Sequence, residues 1–135
     1  MSERTDWAER CHAFVRAQVE SDAAHDLTHI RRVVATAARL GAAEGADLDV
    51  VVPGAYLHDC VTVAKDSPDR PRASRLAAER ASAWLRKEGF PEARTRAVAH
   101  AIEAHSFSAG IAPRTVEACV VQDADRLDAL GAIGV

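Results

Sequence analysis

Apolar residues recur along the chain at helical rather than strand spacing. Over residues 3–20, Trp7, Cys11, Phe14, Val15 and Val19 fall on one stripe. Ser21-Asp22 interrupts it and can cap the next helix. Leu27, Ile30, Val33, Val34, Ala37 and Leu40 predict a second helix that ends near Gly45. Asp47 suits the N-cap of a short third helix through Leu57, with Pro53 near its first turn or kinking it. Unlike the others, this segment is apolar all round, from Val50 to Leu57. Residues 61–72 carry two prolines and read as a loop. A fourth helix over residues 73–88 carries Leu76, Ala77, Arg80 and Trp84 and stops at Gly89. Pro91 fits the first position of a fifth, which runs to about His105. After a loop over residues 106–114, a sixth runs from Thr115 to at least Leu130. No repeat, strand alternation or low-complexity linker interrupts the pattern. The expectation is a single all-α domain over residues 1–135, a bundle of at least six helices.

Composition agrees. The 135 residues are 48% hydrophobic but only 4% aromatic, which favours helices over a β-sandwich. The net charge of −3 and the lack of a basic block give no support to a nucleic-acid surface. No apolar run approaches the roughly 20 residues of a membrane span, and residues 1–10 are polar and charged. Cys11, Cys60 and Cys119 are odd in number and form no CxxC pair, so they read as reduced thiols in a cytoplasmic protein. The end, Gly131-Ala132-Ile133-Gly134-Val135, is apolar, and the expectation is that the chain is a piece of a longer protein with exposed apolar surface there.

The candidate chemistry lies at the borders of the apolar segments. His58-Asp59 closes the third one; His25-Asp26-Leu27-Thr28-His29 lies upstream and Asp123-Ala124-Asp125-Arg126-Leu127-Asp128 downstream. A lone helical histidine is more often a polar surface or core residue than a ligand. Acids and imidazoles recurring beside apolar residues are harder to dismiss, because each is costly to desolvate unless paired. Together they form an N/O ligand set for one divalent metal (Mn, Fe, Ni, Zn or Mg) rather than for calcium. Such a metal lowers the pKa of its water and polarises a phosphoryl oxygen. Residue phase alone leaves Asp123 and Asp125 both open as the last ligand, since Asp123 aligns with Val116, Val120, Leu127 and Leu130. Lys65, Arg70, Arg72 and Arg75 come after the His-Asp pair and suit phosphate oxygens, as does Arg126. His105 could protonate a leaving group. Cys60 reads as a small buried residue, His12 and His100 as surface histidines.

The order His29, His58-Asp59, Asp125 resembles the HD-domain metal-dependent phosphohydrolases. The strings His25–Val33, Leu57-His58-Asp59, Ala101–Ser108 and Gln122–Gly134 are similar to its YedJ/YpgQ-like subgroup, over roughly residues 22–135. The resemblance implies an all-α HD fold, one divalent metal, and hydrolysis of a nucleotide or related small phosphate, including a nucleoside triphosphate split to monophosphate and pyrophosphate. It places the ligands at His29, His58, Asp59 and Asp125, with His25, Asp26 and Asp123 as outer or alternative groups. Asp59 and His105 become the catalytic candidates; Lys65, Arg72 and Arg126 become the phosphate contacts. A non-catalytic regulatory module with a structural metal is the alternative. A di-iron oxygenase fits less well, because residues 60–99 hold no histidine for a second metal.

Overall fold

In the computed structural model, which describes residues 3–21, 27–61, 66–106 and 109–133, every longer element is a helix. They are α1 (Glu3–Ser21), α2 (Leu27–Glu44), α3 (Leu48–Leu57), α4 (Ala73–Lys87), α5 (Glu92–Ala104) and α6 (Val116–Ile133). A short 3-10 turn, Arg70–Arg72, precedes α4. The six predicted helices are all present, and none is long and apolar enough to cross a membrane.

The organising element is α3. A helix that is apolar all round must be enclosed, and Val50, Val51, Val52, Pro53, Gly54, Ala55 and Leu57 are all buried. Around it pack α1, α2, α5 and α6, while α4 packs chiefly on α5. Pro53 lies inside α3, where it removes a backbone donor to the preceding turn. Asp47 caps the helix as expected, accepting from the Asp49 N–H at 3.0 Å. Its own N–H donates to Glu117 Oε2 on α6 at 2.9 Å, and its carboxylate pairs with Arg94 on α5 at 3.2 Å. The start of α3 is thereby tied to both neighbours.

Two helices stop where glycine was expected to stop them, and by the same device. Gly89 (φ +86°) comes after α4; its N–H donates to Arg86 O and that of Phe90 to Leu85 O at 2.9 Å. Gly45 (φ +70°) ends α2 in the same way, with Ala46 N donating to Gly41 O. Both are the left-handed C-terminal motif that glycine enters without a Cβ penalty. Leu85 and Phe90, which flank the α4 motif, are both in the core.

Three expectations shift. Pro91 is the N-cap of α5 rather than its first residue, and Thr95 N donates to its carbonyl at 2.8 Å. The face that α4 buries is Ser74, Ala77, Ala78, Ala81, Ser82 and Leu85, not a stripe through Arg80, which is exposed. Small side chains let α4 sit close to α5, and Ser74 Oγ donates to Glu103 O across that contact at 3.0 Å. His100 is not a surface group. Its side chain is 12% exposed and its Nε2 accepts from the Arg114 backbone N–H at 2.9 Å, fixing the approach to α6.

At the centre α3 faces α5 and α6 through Gly54, where a Cβ would meet Val121 Cγ2 at 3.4 Å and Ala101 Cβ at 3.6 Å. These are ordinary contacts, so Gly54→Ala should leave stability within about 1 kcal/mol, the helix-propensity gain offsetting slight crowding. Gly54→Val adds atoms beyond that point and should cost about 1–3 kcal/mol. Urea unfolding of both variants checks this; equal stabilities would mean that the three helices are not in tight register there.

Candidate metal centre

Two helices deliver histidine to the centre by one local device. His58 is the C-cap of α3 and His105 the C-cap of α5. Each folds its ring back over its own last turn. His58 Nδ1 donates to Ala55 O at 2.6 Å, and His105 Nδ1 donates to Ile102 O at 2.6 Å. A carbonyl can only accept, so each proton is on Nδ1 and each Nε2 faces away from its helix. The rings meet edge to face with centroids 5.0 Å apart. His29, in the first turn of α2, lies 5.8 Å from His58 by centroid.

Asp125 of α6 completes the group. Its Oδ1 stands 3.4 Å from both His29 Nε2 and His58 Nε2. His29, His58 and Asp125 each offer one ligand atom, and these atoms lie within 4.8 Å of one another. The chemistry of these donors fits a divalent cation. With Nδ1–H already spent, the neutral His58 turns a lone pair toward a carboxylate oxygen, an arrangement that either protons or a metal must reconcile. The His58 side chain is 1% exposed, whereas Asp125 and His29 are 29% and 25% exposed, so the group opens to solvent on one side.

In the ion-free protein, protons do the reconciling. The bond to Asp125 raises His29 to a pKa of about 9, against the effect of burial and with help from Asp128. Burial alone would lower His58, but the Asp125 carboxylate outweighs it and its pKa also rises. Burial pushes the Asp125 carboxyl up, yet the two imidazoles overcome this and hold it well below the usual carboxylate range. His105 goes the other way, lowered by burial and by its neighbour His58.

The remaining candidates are distributed around this group. Asp59 directly succeeds His58 and is half-buried; its charge acts on both His58 and His105, but it is not among the converging atoms. Asp123 is exposed, because the buried face of α6 is Ala118, Val120, Val121 and Ala124. Of the stripe that suggested it only Val120 is buried; Val116, Leu127 and Leu130 are 40%, 49% and 62% exposed. Arg126 lines a cavity of 280 Å³ with Ser106, Ile111 and Gln122, between the neighbours in sequence of His105 and Asp125. Arg72 is 69% exposed and pairs with Asp69 at 3.7 Å. His25, Asp26 and Lys65 lie outside the described residues. Cys60 is buried as expected; its Sγ donates to Ala77 O at 3.4 Å, and burial pushes its thiol up to about 12.

Sequence reasoning does not single out Asp128. Its Oδ2 accepts from His29 Nδ1 at 2.6 Å, while Arg32 Nε donates to its Oδ1 at 2.7 Å. The one available signal is its spacing, i,i+3 from Asp125 on one face of α6.

The chain is similar to proteins already known. A family model described as HD domain matches residues 26–130. Uncharacterized protein YpgQ of Bacillus subtilis (strain 168) is 33% identical over 133 residues, 95% of this chain and 62% of that protein. The chain therefore spans less than two thirds of the length of that relative. The crystal structure of B. subtilis YpgQ in complex with ADP superposes with a TM-score of 0.74 at 32% identity, over 98% of this chain and 63% of that one. An HD-superfamily hydrolase from Bacillus thuringiensis gives 0.73 at 34% identity, covering 97% and 62%. A predicted HD superfamily hydrolase from an uncultured Thermotogales bacterium gives 0.71 at 28% identity, covering 93% and 72%.

Protons and metal should compete for the histidines. Below a pH of about 9, where ion-free His29 is charged, divalent-ion affinity should rise with pH, about tenfold per unit for each proton displaced. Calorimetry at pH 7 in buffers of different ionisation enthalpy should register proton release; none would contradict the histidine assignment. Stability of the ion-free protein runs oppositely. The His29 contribution is complete below 6.5 and lost as pH rises through about 9.

Proposed function

Because the chain belongs to the HD-domain family, we propose that it is a metal-dependent phosphohydrolase acting on a nucleotide or related small phosphate ester or anhydride. The observation that carries this reading is the convergence of His29 Nε2 and His58 Nε2 on Asp125 Oδ1, open to solvent on one side. The nucleotide class draws support from YpgQ, a structural relative crystallised with ADP. A nucleoside triphosphate, cleaved to monophosphate and pyrophosphate, is the first substrate to try.

His29, His58 and Asp125 would hold one divalent ion (Mn, Fe, Ni, Zn or Mg), with Asp59, next to His58 in sequence, as the fourth ligand that the family resemblance implies. When bound, that ion supplies a Lewis acid for a phosphoryl oxygen and for water. The chain's own groups do the rest. His105 has its proton fixed on Nδ1 and a pKa held down by burial and by His58, so it enters the reaction neutral. It therefore takes a proton before it can give one. Its Nε2 accepts the proton of the attacking water and returns it to the leaving oxygen as the phosphorus–oxygen bond breaks. Arg126, on the wall of the 280 Å³ cavity, holds a non-reacting phosphate, and Lys65, which follows the His-Asp pair in sequence, is the second candidate for that role. Arg72 would have to release Asp69 to join them.

A nucleotide panel assayed with each of the five ions tests this. His58→Ala should lose activity by at least about 10²-fold, His105→Ala should lower kcat by about 10²–10⁴ with little change in KM, and Arg126→Ala should mainly raise KM. Ion binding without turnover of any phosphate would favour the non-catalytic module.

A further inference from the structure

We infer that Asp128, braced by Arg32, is a positioning residue that fixes His29 as an Nε2 ligand. The inference rests on the reading of His29, His58 and Asp125 as a metal centre. Among the described residues, the three histidines around the centre are oriented by two different means. His58 and His105 cap helices and use a carbonyl of their own last turn. His29 stands at the opposite end of its helix, in the first turn of α2, where the carbonyls of a last turn are out of reach. Its Nδ1 needs a partner from elsewhere, and α6 supplies it. Asp125 and Asp128, one helical turn apart, grip the two nitrogens of a single ring, Asp125 at Nε2 (3.4 Å) and Asp128 at Nδ1 (2.6 Å).

The carboxylate of Asp128 divides its work. Oδ1 accepts from Arg32 Nε at 2.7 Å, and Oδ2 accepts from His29 Nδ1 at 2.6 Å and from Arg32 Nη2 at 3.3 Å. An ordinary surface ion pair leaves both partners in water, but here the Asp128 side chain is only 12% exposed although Arg32 is 52% exposed. Its burial serves the imidazole. A carboxylate that holds Nδ1–H selects one tautomer, sets the ring plane and makes the Nε2 lone pair a better donor. Since His29 and Asp128 belong to α2 and α6, the ligand is oriented only when those helices are docked.

The test compares wild type with Asp128→Asn, Asp128→Glu and Arg32→Ala. Zn²⁺ affinity is measured against a chromophoric chelator, and long-range ¹H–¹⁵N NMR tracks the His29 ring. Wild type with Zn²⁺ should show His29 bound through Nε2 and a downfield Nδ1–H. Asp128→Asn should weaken Zn²⁺ binding about 10–100-fold and abolish the downfield signal. Asp128→Glu should restore part of both. Should Asp128→Asn fail to fold, Arg32→Ala decides, with a smaller loss of affinity and an upfield move of the same proton. The inference is overturned if a folded Asp128→Asn binds within twofold of wild type with an unchanged His29 spectrum. It is equally overturned if Arg32→Ala moves neither readout, or if His29 binds Zn²⁺ through Nδ1. Wild type that binds no divalent ion overturns the metal-centre reading itself.

Discussion

A fully buried imidazole has two nitrogens to satisfy and no water to help, and the centre of this molecule is arranged around that demand. His58 meets half of it within its own helix, through Ala55. The other half can be met only from outside α3, and Asp125 of α6 stands there. The consequences spread outward. Asp125 must be brought to the end of α3, so α6 must dock beside it; the two helices meet where Gly54 faces Val121, with room for a Cβ but not for a branched side chain. His58 itself sits where it does because α3 is too apolar to lie anywhere but the middle. Core packing and candidate chemistry are thus two demands placed on the same ten-residue helix.

This explains which features are legible in the sequence. The uniform apolarity of Val50–Leu57, the glycine stops at Gly45 and Gly89, and the Asp47 cap are local signals with local causes, and each appears as expected. The helix ends that carry His58 and His105 are legible for the same reason. Helical phase fails on α6. Leu127 and Leu130 look like core residues yet are exposed, while the buried face is alanine and valine. Periodicity therefore attaches Asp123 to the wrong side, and the resemblance, not the periodicity, points to Asp125. Asp128 and His100 escape a reading of the sequence because their partners are tertiary. Nothing near Asp128 in sequence announces His29, and nothing near His100 announces the Arg114 amide.

Local and tertiary causes divide the site into a part built by each helix for itself and a part built by assembly. The C-capping histidines carry their tautomer with them as soon as a helical end forms. The α2–α6 contact adds the other half, a histidine held at both nitrogens and an arginine at the rim. Arg32 also lines a groove of 720 Å³ with Arg39, Thr36 and Leu127, so the brace behind His29 is also part of an open surface.

The three converging donors come from the beginning, the middle and the end of the chain, on α2, just after α3 and on α6. An ion shared among them would act as a crosslink, closing long loops that an unfolded chain could close only at a large entropic cost. Release of the ion and separation of α2 from α6 would then be one event rather than two. A chelator would behave as a mild denaturant, and free metal in the surroundings would set how long the chain survives a protease.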